Sequence, residues 1–418
     1  MTQLVTSQRA TQTSARQKRY TKSTVSHETN SSFPNPSTLL GIFAESLPAS
    51  TFHERTVVPV RNLAYSIALL VVSALFTGCG AYNSPSSTPP PAIAPRFALV
   101  ANLFSNSIST YGVDSQTGQL TPKETVPTGG MNSRIIAVTP SGRFAYVANI
   151  ASNDISVFAI DANTGTLTMM GSTVPSGDGP RFIVIGPTGN LLYVVNQDAD
   201  HITAFSINPN TGALTPLTGS VSTDDLPIAL TFHPSGQFAY VVNARSDDIT
   251  VYRVDNTGAL GLLGAVPAPT NPSSISISPS GKTAYVTTLG ADGVTAFSID
   301  ATSGALTPLP RVNTGSGPIS ITVDSHGRFA YVTNLNDNNI SIYAIDAATG
   351  TLAPVSTAPA GNAPVALTLD PSGRFAYVAN FGSNNVTPFA VDSNTGALTP
   401  LSPPVDADSG PGWVTLVN

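Results

Sequence analysis

Short runs of alternating hydrophobic and polar residues fill most of the chain, and turn residues separate the runs. Near the C-terminus the runs cover residues 365–369, 375–379, 386–391 and 397–401, with a Pro-Ser-Gly turn, an Asn-rich loop and an Asp-Ser-Asn-Thr-Gly turn between them. Runs of this length, rich in β-branched and aromatic residues and bounded by Gly, Pro and Asn, predict β-strands. The pattern therefore predicts a unit of four antiparallel strands.

This unit is repeated along the chain. An Ile/Val-Asp-x-x-Thr-Gly turn ends at Gly118, Gly165, Gly212, Gly258, Gly304, Gly350 and Gly396, at spacings of 46 or 47 residues. In three imperfect copies Asn208 replaces the Asp, Ser303 replaces the Thr, and the copy ending at Gly258 is one residue shorter. An Asp that seeds an Asx-type turn before a Gly at positive φ explains the element without a calcium ion. Repeats of about 45 residues with four short strands are typical of propeller blades.

The two ends of the repeat region predict a closed ring. The first copy begins at strand two, with Phe97, and lacks strand one, whereas residues 410–417 resemble a strand one with nothing after it. We expect the C-terminal strand to complete the N-terminal blade, which removes free sheet edges. The predicted fold is all-β: a seven-bladed β-propeller of four-stranded antiparallel blades over residues 96–418.

Composition supports this fold and excludes several classes of protein. Charged residues make up 10% of the chain, and Gly and Pro number 34 and 35, which excludes a coiled coil. A hydrophobic content of 41% excludes wholesale disorder. Residues 80–418 carry eleven Lys and Arg against twenty-one Asp and Glu, so nucleic acid is not an expected partner. We expect a monomer.

Cofactor and metal sites are not expected either. Cys79 is the single cysteine, so neither an internal disulfide nor a multi-cysteine zinc site can form within the chain. His201, His233 and His326 fall on different blades and faces, which argues against a histidine-bound metal. The sequence contains no Gly-rich phosphate loop, nucleophile elbow or dinucleotide fingerprint.

Cys79 follows an apolar segment over residues 63–76, which Arg55 and Arg61 precede. The segment is shorter than the roughly 20 residues of a membrane span and is typical of a signal peptide. With the Ser/Pro-rich stretch 84–91, the segment resembles the lipobox and tether of bacterial lipoproteins, whose cysteine is lipidated; Phe76 stands where that family usually has Leu. The alternative is a free, buried Cys79.

These features divide the N-terminal part into three segments. Residues 57–79 are predicted to be a lipoprotein signal peptide and residues 80–95 a tether, which implies export to the bacterial cell envelope and membrane attachment through Cys79. Residues 1–56 form a Ser/Thr-rich, low-complexity extension. Either the extension is present, or translation begins near Val57, Val58 or Val60.

Polar residues that could bind a ligand are expected where strand one begins and strand two ends, because these points open on one face. The first positions of strand one are Gly412, Arg134, Arg181, Ile228, Ser273, Ile319 and Val365. Arg134 and Arg181 are on neighbouring blades, and their planar forks suit carboxylate or phosphate groups. The alternative is an ion pair with Asp178 or Asp154.

Amide and basic side chains follow strand two in the same sector. Candidate ligand-binding residues here are Asn149, Asn196, Gln197, Asn243 and Arg245. The alternative for the asparagines is a purely structural role, because Asn is common where a strand enters a turn.

The repeats, including Tyr331-Val-Thr-Asn334, resemble the seven-bladed propeller lactonases, a family with 6-phosphogluconolactonase-like members, and the related Tyr-Val-Thr-Asn repeat proteins. The resemblance covers all seven blades. Family lactonases carry Gly-Pro-Arg-His at an early strand one and Asn-Glu after strand two, and the His and Glu are thought to act as acid and base. Here the stretches are Gly179-Pro-Arg-Phe182 and Asn196-Gln197. Neither Phe182 nor Gln197 can transfer a proton near neutral pH.

Two functional hypotheses follow. In the first, an exported lactonase-like propeller binds a small anionic or sugar-acid ligand at its mouth; lactone hydrolysis there would use Arg181, with Arg134, to stabilise the oxyanion and His201 or Asp198 to move the proton. In the second, the protein is a non-catalytic envelope scaffold that binds a protein or glycan through a propeller face. The changes at Phe182 and Gln197 favour binding over catalysis.

Overall fold

The computed structural model describes residues 95–401 and 403–418, and within them every helix-or-strand element is a β-strand. The strands form seven antiparallel sheets. The innermost strand of each sheet contacts the innermost strand of the next around a closed circle. The predicted all-β, seven-bladed propeller is therefore confirmed.

Each blade has four strand positions from the axis outward, and in four blades the outer strand is split in two. Blade 1 consists of β1 (Phe97–Asn102), β2 (Ser107–Val113), β3 (Leu120–Pro127) and β32 (Pro411–Val417); blade 2 of β4 (Ser133–Val138), β5 (Phe144–Asn149), β6 (Asp154–Ile160), β7 (Leu167–Met169) and β8 (Val174–Pro175); and blade 3 of β9 (Pro180–Ile185), β10 (Leu191–Asn196), β11 (His201–Ile207), β12 (Leu214–Pro216) and β13 (Val221–Ser222). Blade 4 consists of β14 (Pro227–Phe232), β15 (Phe238–Asn243), β16 (Asp248–Val254) and β17 (Leu260–Pro267), and blade 5 of β18 (Pro272–Ile277), β19 (Thr283–Thr288), β20 (Gly293–Ile299), β21 (Leu306–Pro308) and β22 (Val312–Asn313). Blade 6 consists of β23 (Pro318–Val323), β24 (Phe329–Asn334), β25 (Asn339–Ile345) and β26 (Leu352–Pro359), and blade 7 of β27 (Pro364–Leu369), β28 (Phe375–Asn380), β29 (Asn385–Val391), β30 (Leu398–Pro400) and β31 (Val405–Asp406).

The ring closes through the C-terminal strand. Strand β1 pairs with β2 on one side and with β32 on the other, and Phe97 lies opposite Val417. The backbone N–H of Arg96 also donates to the carbonyl of Val417, at 2.8 Å. The predicted closure is confirmed: β32 pairs with the edge of β1 and becomes the innermost strand of blade 1.

Proline helps to explain a split outer strand. The sequence predicts one fourth strand over residues 397–401 in blade 7, but the structure has two short segments there, β30 and β31. Pro403 lies between them, and Pro310 lies between β21 and β22 in blade 5. Because proline has no N–H to donate, it interrupts the pairing in blades 5 and 7. In blades 2 and 3 the segments between the two halves, residues 170–173 and 217–220, contain no proline.

The repeated turn joins neighbouring blades. The Asp161 carboxylate accepts hydrogen bonds from the N–H groups of Asn163 (2.9 Å) and Thr164 (2.8 Å), as the predicted Asx turn requires. Gly165 then adopts a φ of 74°, and a Cβ there would lie 2.5 Å from the Phe97 ring of the preceding blade. The same packing of a turn glycine against the first residue of strand two recurs around the ring.

The N-terminal predictions fall outside the described residues. These are the extension over 1–56, the signal peptide over 57–79 with its lipidated Cys79, and the tether over 80–95 except for its last residue. Within the part of the chain that the structure describes, no helix has the length and apolarity needed to cross a membrane.

Candidate functional site

The second and third residues of the innermost strands, which include the positions singled out in the sequence, meet around the axis. They line a small cavity of about 40 Å³, the mouth cavity, whose walls are Arg134, Ile135, Arg181, Phe182, Ile228, Ala229, Ser273, Ser274, Ile319, Ser320, Val365, Gly412 and Trp413. The wall combines two guanidinium groups with serine hydroxyls and apolar side chains, and it contains no acidic residue. The mouth cavity is therefore positively charged in a protein of net charge −6.

The positive charge of the mouth cavity comes from Arg134 and Arg181, whose side chains are shielded from water. Arg181 is only 7% exposed, and Arg134 is partly buried. Burial, together with the neighbouring Arg181 guanidinium, lowers the pKa of Arg134 well below its usual value. Burial also lowers the pKa of Arg181 to about 10, although the Asp198 carboxylate opposes this change. An anion between the two guanidiniums would reduce both the mutual repulsion and the cost of burial.

Gln197 connects Arg181 to Asp198. The Arg181 Nη1 donates a hydrogen bond to the Gln197 Oε1 at 3.3 Å, and the Gln197 Nε2 donates to the Asp198 Oδ1 at 3.3 Å. The backbone N–H of Gln197 donates to the carbonyl of Gly179 at 2.8 Å, which holds the loop after β10 against the start of β9. The predicted site residues Arg181, Gln197 and Asp198 therefore lie in one chain of contacts.

Two aromatic rings line the base of the mouth cavity. The Phe182 and Trp413 rings meet edge to face, with centroids 6.2 Å apart. Both residues also line a larger, mostly apolar cavity of about 610 Å³, which extends along the innermost strands toward the opposite face. Phe182 occupies the position that the family resemblance assigns to a catalytic histidine, so an apolar ring stands where an acid–base group would be needed.

The predicted ligand-binding asparagines support the loops instead of lining the mouth cavity. Asn149, Asn196 and Asn243 have no exposed surface. The Asn149 Nδ2 donates to Asp154 (2.8 Å) and Ser156 (2.7 Å), and the Asn243 Nδ2 donates to Asp248 (2.7 Å) and Thr250 (2.7 Å). These bonds fasten the end of strand two to strand three, which is the structural alternative for these positions.

His201 and Arg245 lie on the mouth face but do not belong to the wall of the mouth cavity. His201 begins β11, and its Nδ1 lies 2.9 Å from the carbonyl of Ala199, so that nitrogen carries the proton. Its Nε2 points toward Gly177, in the loop that precedes β9. The Arg245 side chain is exposed after β15. His201 and Asp198 are the two predicted proton carriers. Of these, only Asp198 is linked to Arg181, through the hydrogen bonds of Gln197.

The acidic residues weighed as partners for the arginines have other contacts. The Asp154 carboxylate accepts hydrogen bonds from Asn149 (2.8 Å) and Thr173 (2.9 Å). The Asp178 carboxylate accepts one from Asn153 at 3.2 Å. Over residues 95–401 and 403–418, no group of three or more His, Cys, Asp or Glu side chains is placed to hold a metal ion.

Comparison with known proteins decides the family. The family described as Lactonase, 7-bladed beta-propeller matches residues 93–177, 135–226, 227–367 and 309–416. The chain belongs to this family. No curated protein matches the chain.

Solved structures share the fold of this lactonase-family propeller. The periplasmic gluconolactonase PpgL of Pseudomonas aeruginosa is 22% identical, with a TM-score of 0.69 over 77% of this chain and 99% of that chain. A Bacteroides uniformis protein provisionally described as a 6-phosphogluconolactonase is 23% identical, with a TM-score of 0.69 over 77% and 99%. Hydrazine synthase of Kuenenia stuttgartiensis is 21% identical, with a TM-score of 0.56 over 75% and 100%. Proteins with such different names share the fold, so function must be argued from the site.

Proposed function

We propose that this lactonase-family propeller binds a small anionic ligand, a sugar acid, at the mouth cavity through Arg134 and Arg181. One observation carries the proposal: two neighbouring guanidiniums line one small cavity, and Arg181 is 7% exposed there. The two guanidiniums repel each other, and an anion bound to both would offset that repulsion. A carboxylate can accept paired hydrogen bonds from a guanidinium fork, which adds orientation to the charge attraction.

The rest of the cavity wall suits a polyhydroxylated ligand. Ser273, Ser274 and Ser320 line the mouth cavity along with the arginines. Serine hydroxyls can donate and accept, so they can exchange hydrogen bonds with the hydroxyl groups of a sugar acid. A cavity of about 40 Å³ has room for only a few atoms, so the carboxylate would enter it and the rest of the sugar acid would extend out of the mouth.

Lactone hydrolysis at this cavity is a second candidate function. It is favoured by family membership and by the position of the Asp198 carboxylate. This carboxylate accepts a hydrogen bond from Gln197 and raises the pKa of Arg181. In this reaction Arg181 and Arg134 would stabilise the oxyanion that develops on the ring-opening carbonyl. Asp198 would accept a proton from the attacking water and return it to the ring oxygen as the ring C–O bond of the lactone breaks. The apolar Phe182 weakens this candidate, because it supplies no acid at the family position.

Binding is tested by calorimetric titration of the full-length protein with D-gluconate, 6-phosphogluconate and neutral D-glucose. The proposal expects both anions to bind and glucose not to bind, and expects Arg181→Ala to lower the affinity at least tenfold, since a charge-assisted hydrogen bond contributes about 1.5–3 kcal/mol. Arg245→Ala removes an exposed arginine on the same face and serves as the matched control. Equal binding in wild type and Arg181→Ala would contradict the proposal and favour the scaffold alternative.

Catalysis is tested separately with δ-gluconolactone and its 6-phosphate. Hydrolysis faster than in buffer that falls in Arg181→Ala and Asp198→Asn supports the enzyme. If the lactone hydrolyses no faster with the protein than in buffer while gluconate still binds, the protein is a binding protein and not a lactonase. Loss of activity in His201→Ala but not in Asp198→Asn would identify His201, and not Asp198, as the group that accepts the proton.

The location of the protein is a further part of the proposal. An exported chain held at the bacterial membrane by a lipidated Cys79 fits the apolar segment 63–76 and the Ser/Pro-rich stretch that follows. Cys79→Ser should release the protein from the membrane fraction. A wild-type protein found in the cytosol would contradict the lipoprotein prediction.

A further inference from the structure

One blade junction departs from the packing of the other six. On the face opposite the mouth, the first residue of strand two packs against the turn glycine of the next blade. Six junctions use a large apolar side chain, in the pairs Phe97–Gly165, Phe144–Gly212, Leu191–Gly258, Phe238–Gly304, Phe329–Gly396 and Phe375–Gly118. Between blades 5 and 6 the pair is Thr283–Gly350, so a small hydroxyl residue takes the place of a ring.

The smaller residue coincides with a polar cavity. A cavity of about 340 Å³ lies at this junction, and we call it the blade 5/6 pocket. Its hydroxyl and basic lining includes Ser278, Ser280, Lys282, Thr283, Ser298 and Thr349, and Asp346 and His326 also line it. Ile299, Ile345 and Tyr285 supply apolar surface to the same pocket. A pocket that combines many hydroxyls with a modest apolar wall matches the mixed polar and C–H surface of a sugar. The Asp346 carboxylate already accepts three hydrogen bonds from Ala348 and Thr349 in its own turn, so Lys282 is the group here that can receive an acid.

Lys282 differs from its counterparts in having no ring to cover. Arg143, Arg328 and Arg374 occupy the same position in other blades, and each lies over the phenylalanine that follows it, 5.0–5.7 Å from the ring centroid. Thr283 offers Lys282 no aromatic face. Among the described residues, the Lys282 ammonium has no hydrogen bond, ion pair or ring contact, and the side chain is exposed at the pocket.

The hydroxyls around Lys282 are held in fixed positions. The Ser278 Oγ accepts from the N–H of Thr283 at 3.1 Å and lies 3.1 Å from the Ser280 Oγ. Across the junction, the Thr349 Oγ1 donates to Asp346 at 2.9 Å. The Tyr285 hydroxyl donates to the carbonyl of Gly350 at 3.0 Å, which fixes the two walls of the pocket relative to each other.

We propose that the blade 5/6 pocket binds an acidic sugar, with Lys282 receiving the carboxylate and the surrounding Ser and Thr hydroxyls receiving the sugar hydroxyls. The group recognised is a uronic-acid unit, either a free sugar acid or the end of an acidic polysaccharide. This site is on the opposite face from the mouth cavity and does not depend on the function proposed there. In an envelope protein it would allow attachment to a polysaccharide while the mouth stays open.

The test titrates the full-length protein carrying Arg181→Ala, which disables the sugar-acid site proposed at the mouth cavity, with D-galacturonate, tetragalacturonate and neutral D-galactose at low ionic strength. The proposal expects both acids to bind more tightly than galactose, and expects added salt to weaken their binding. Equal affinity per uronic-acid unit for monomer and tetramer indicates a free sugar acid as the natural source, whereas much tighter tetramer binding indicates a polysaccharide. No binding of either acid, or equal binding of galactose, overturns the proposal.

Two variants locate the binding. Thr283→Phe restores the packing of the other junctions and fills the pocket, so it should lower the affinity for galacturonate at least about tenfold while the unfolding midpoint is kept or raised. Lys282→Gln should lower it about two- to fivefold, as an exposed charge contributes. Both variants are made in the Arg181→Ala background, so that neither measurement includes binding at the mouth cavity. Galacturonate binding that keeps its affinity when Thr283→Phe is added to Arg181→Ala contradicts the site.

Discussion

The Nη1 of Arg181 donates a hydrogen bond to the Oε1 of Gln197, at 3.3 Å. The amide is neutral, and it links the guanidinium to the Asp198 carboxylate, which raises the pKa of Arg181. A carboxylate at position 197 would instead form an ion pair with Arg181. The identity of residue 197 therefore affects how strongly the mouth attracts an anion.

The first prediction follows from this contact. Gln197→Glu should weaken gluconate binding about tenfold or more, because the new carboxylate neutralises Arg181 and repels the ligand. Calorimetric titration measures the change. Gln237→Glu, which adds the same charge at an exposed position on the opposite face, should have little effect. Unchanged binding in Gln197→Glu would mean that Arg181 does not contact the anion.

A second prediction concerns catalysis. The double change Phe182→His with Gln197→Glu places an imidazole and a carboxylate at the mouth, where the family resemblance expects them. General acid–base catalysis typically contributes 10²–10⁴-fold, so δ-gluconolactone hydrolysis should rise by at least about tenfold above wild type. Phe182→Leu with Gln197→Glu serves as the control without an imidazole. No gain in the double variant would show that this mouth lacks other parts of a lactonase site.

A third prediction tests the contacts between blades. The Tyr146 hydroxyl donates to the carbonyl of Gly212 at 2.8 Å, whereas the equivalent hydroxyl of Tyr331 is buried without a partner among the described residues. Tyr146→Phe should lower the free energy of unfolding by about 1 kcal/mol. Tyr331→Phe should change it little or raise it, because it removes an unpaired buried polar group. Denaturant unfolding compares the two, and equal losses would contradict the assignment.

A fourth prediction concerns alkaline pH. Burial raises the pKa of Tyr111, Tyr193 and Tyr285 to about 12, against about 10 for an exposed tyrosine. Below pH 10 these hydroxyls are neutral in both folded and unfolded chains, so their contribution to stability is fully present. Between about pH 10 and 12 only the unfolded chain ionises them, and stability should fall. The denaturation midpoint and tyrosinate absorbance against pH measure this; tyrosines that all titrate near pH 10 in the folded protein would contradict it.

The blade architecture could be predicted from the sequence because the same strand and turn pattern occurs in seven copies. The closure of the ring could be predicted since residues 410–417 match a strand that blade 1 lacks. Arg134 and Arg181 could be placed together because strand one begins at the axis in every blade. Side-chain direction at the end of strand two could not be derived from strand position alone, and Asn149 illustrates this.

A signal for the asparagines was nevertheless present in the sequence. Polar residues stand five and seven positions after Asn149 and Asn243, and these residues are the hydrogen-bond partners in the structure. The link from Arg181 through Gln197 to Asp198 depends on side-chain conformation, which spacing does not fix. The blade 5/6 pocket depends on Thr283, whose significance appears only when its contact with Gly350 is compared with the other junctions.

The most direct measurement is the position of an anion in crystals of the full-length protein soaked in selenate, located by anomalous scattering. The account predicts a selenium peak between Arg134 and Arg181, within about 4 Å of both guanidiniums, as an ion pair requires. The peak should disappear in Arg181→Ala. Peaks confined to exposed lysines and arginines, with none in the mouth cavity, would contradict the account.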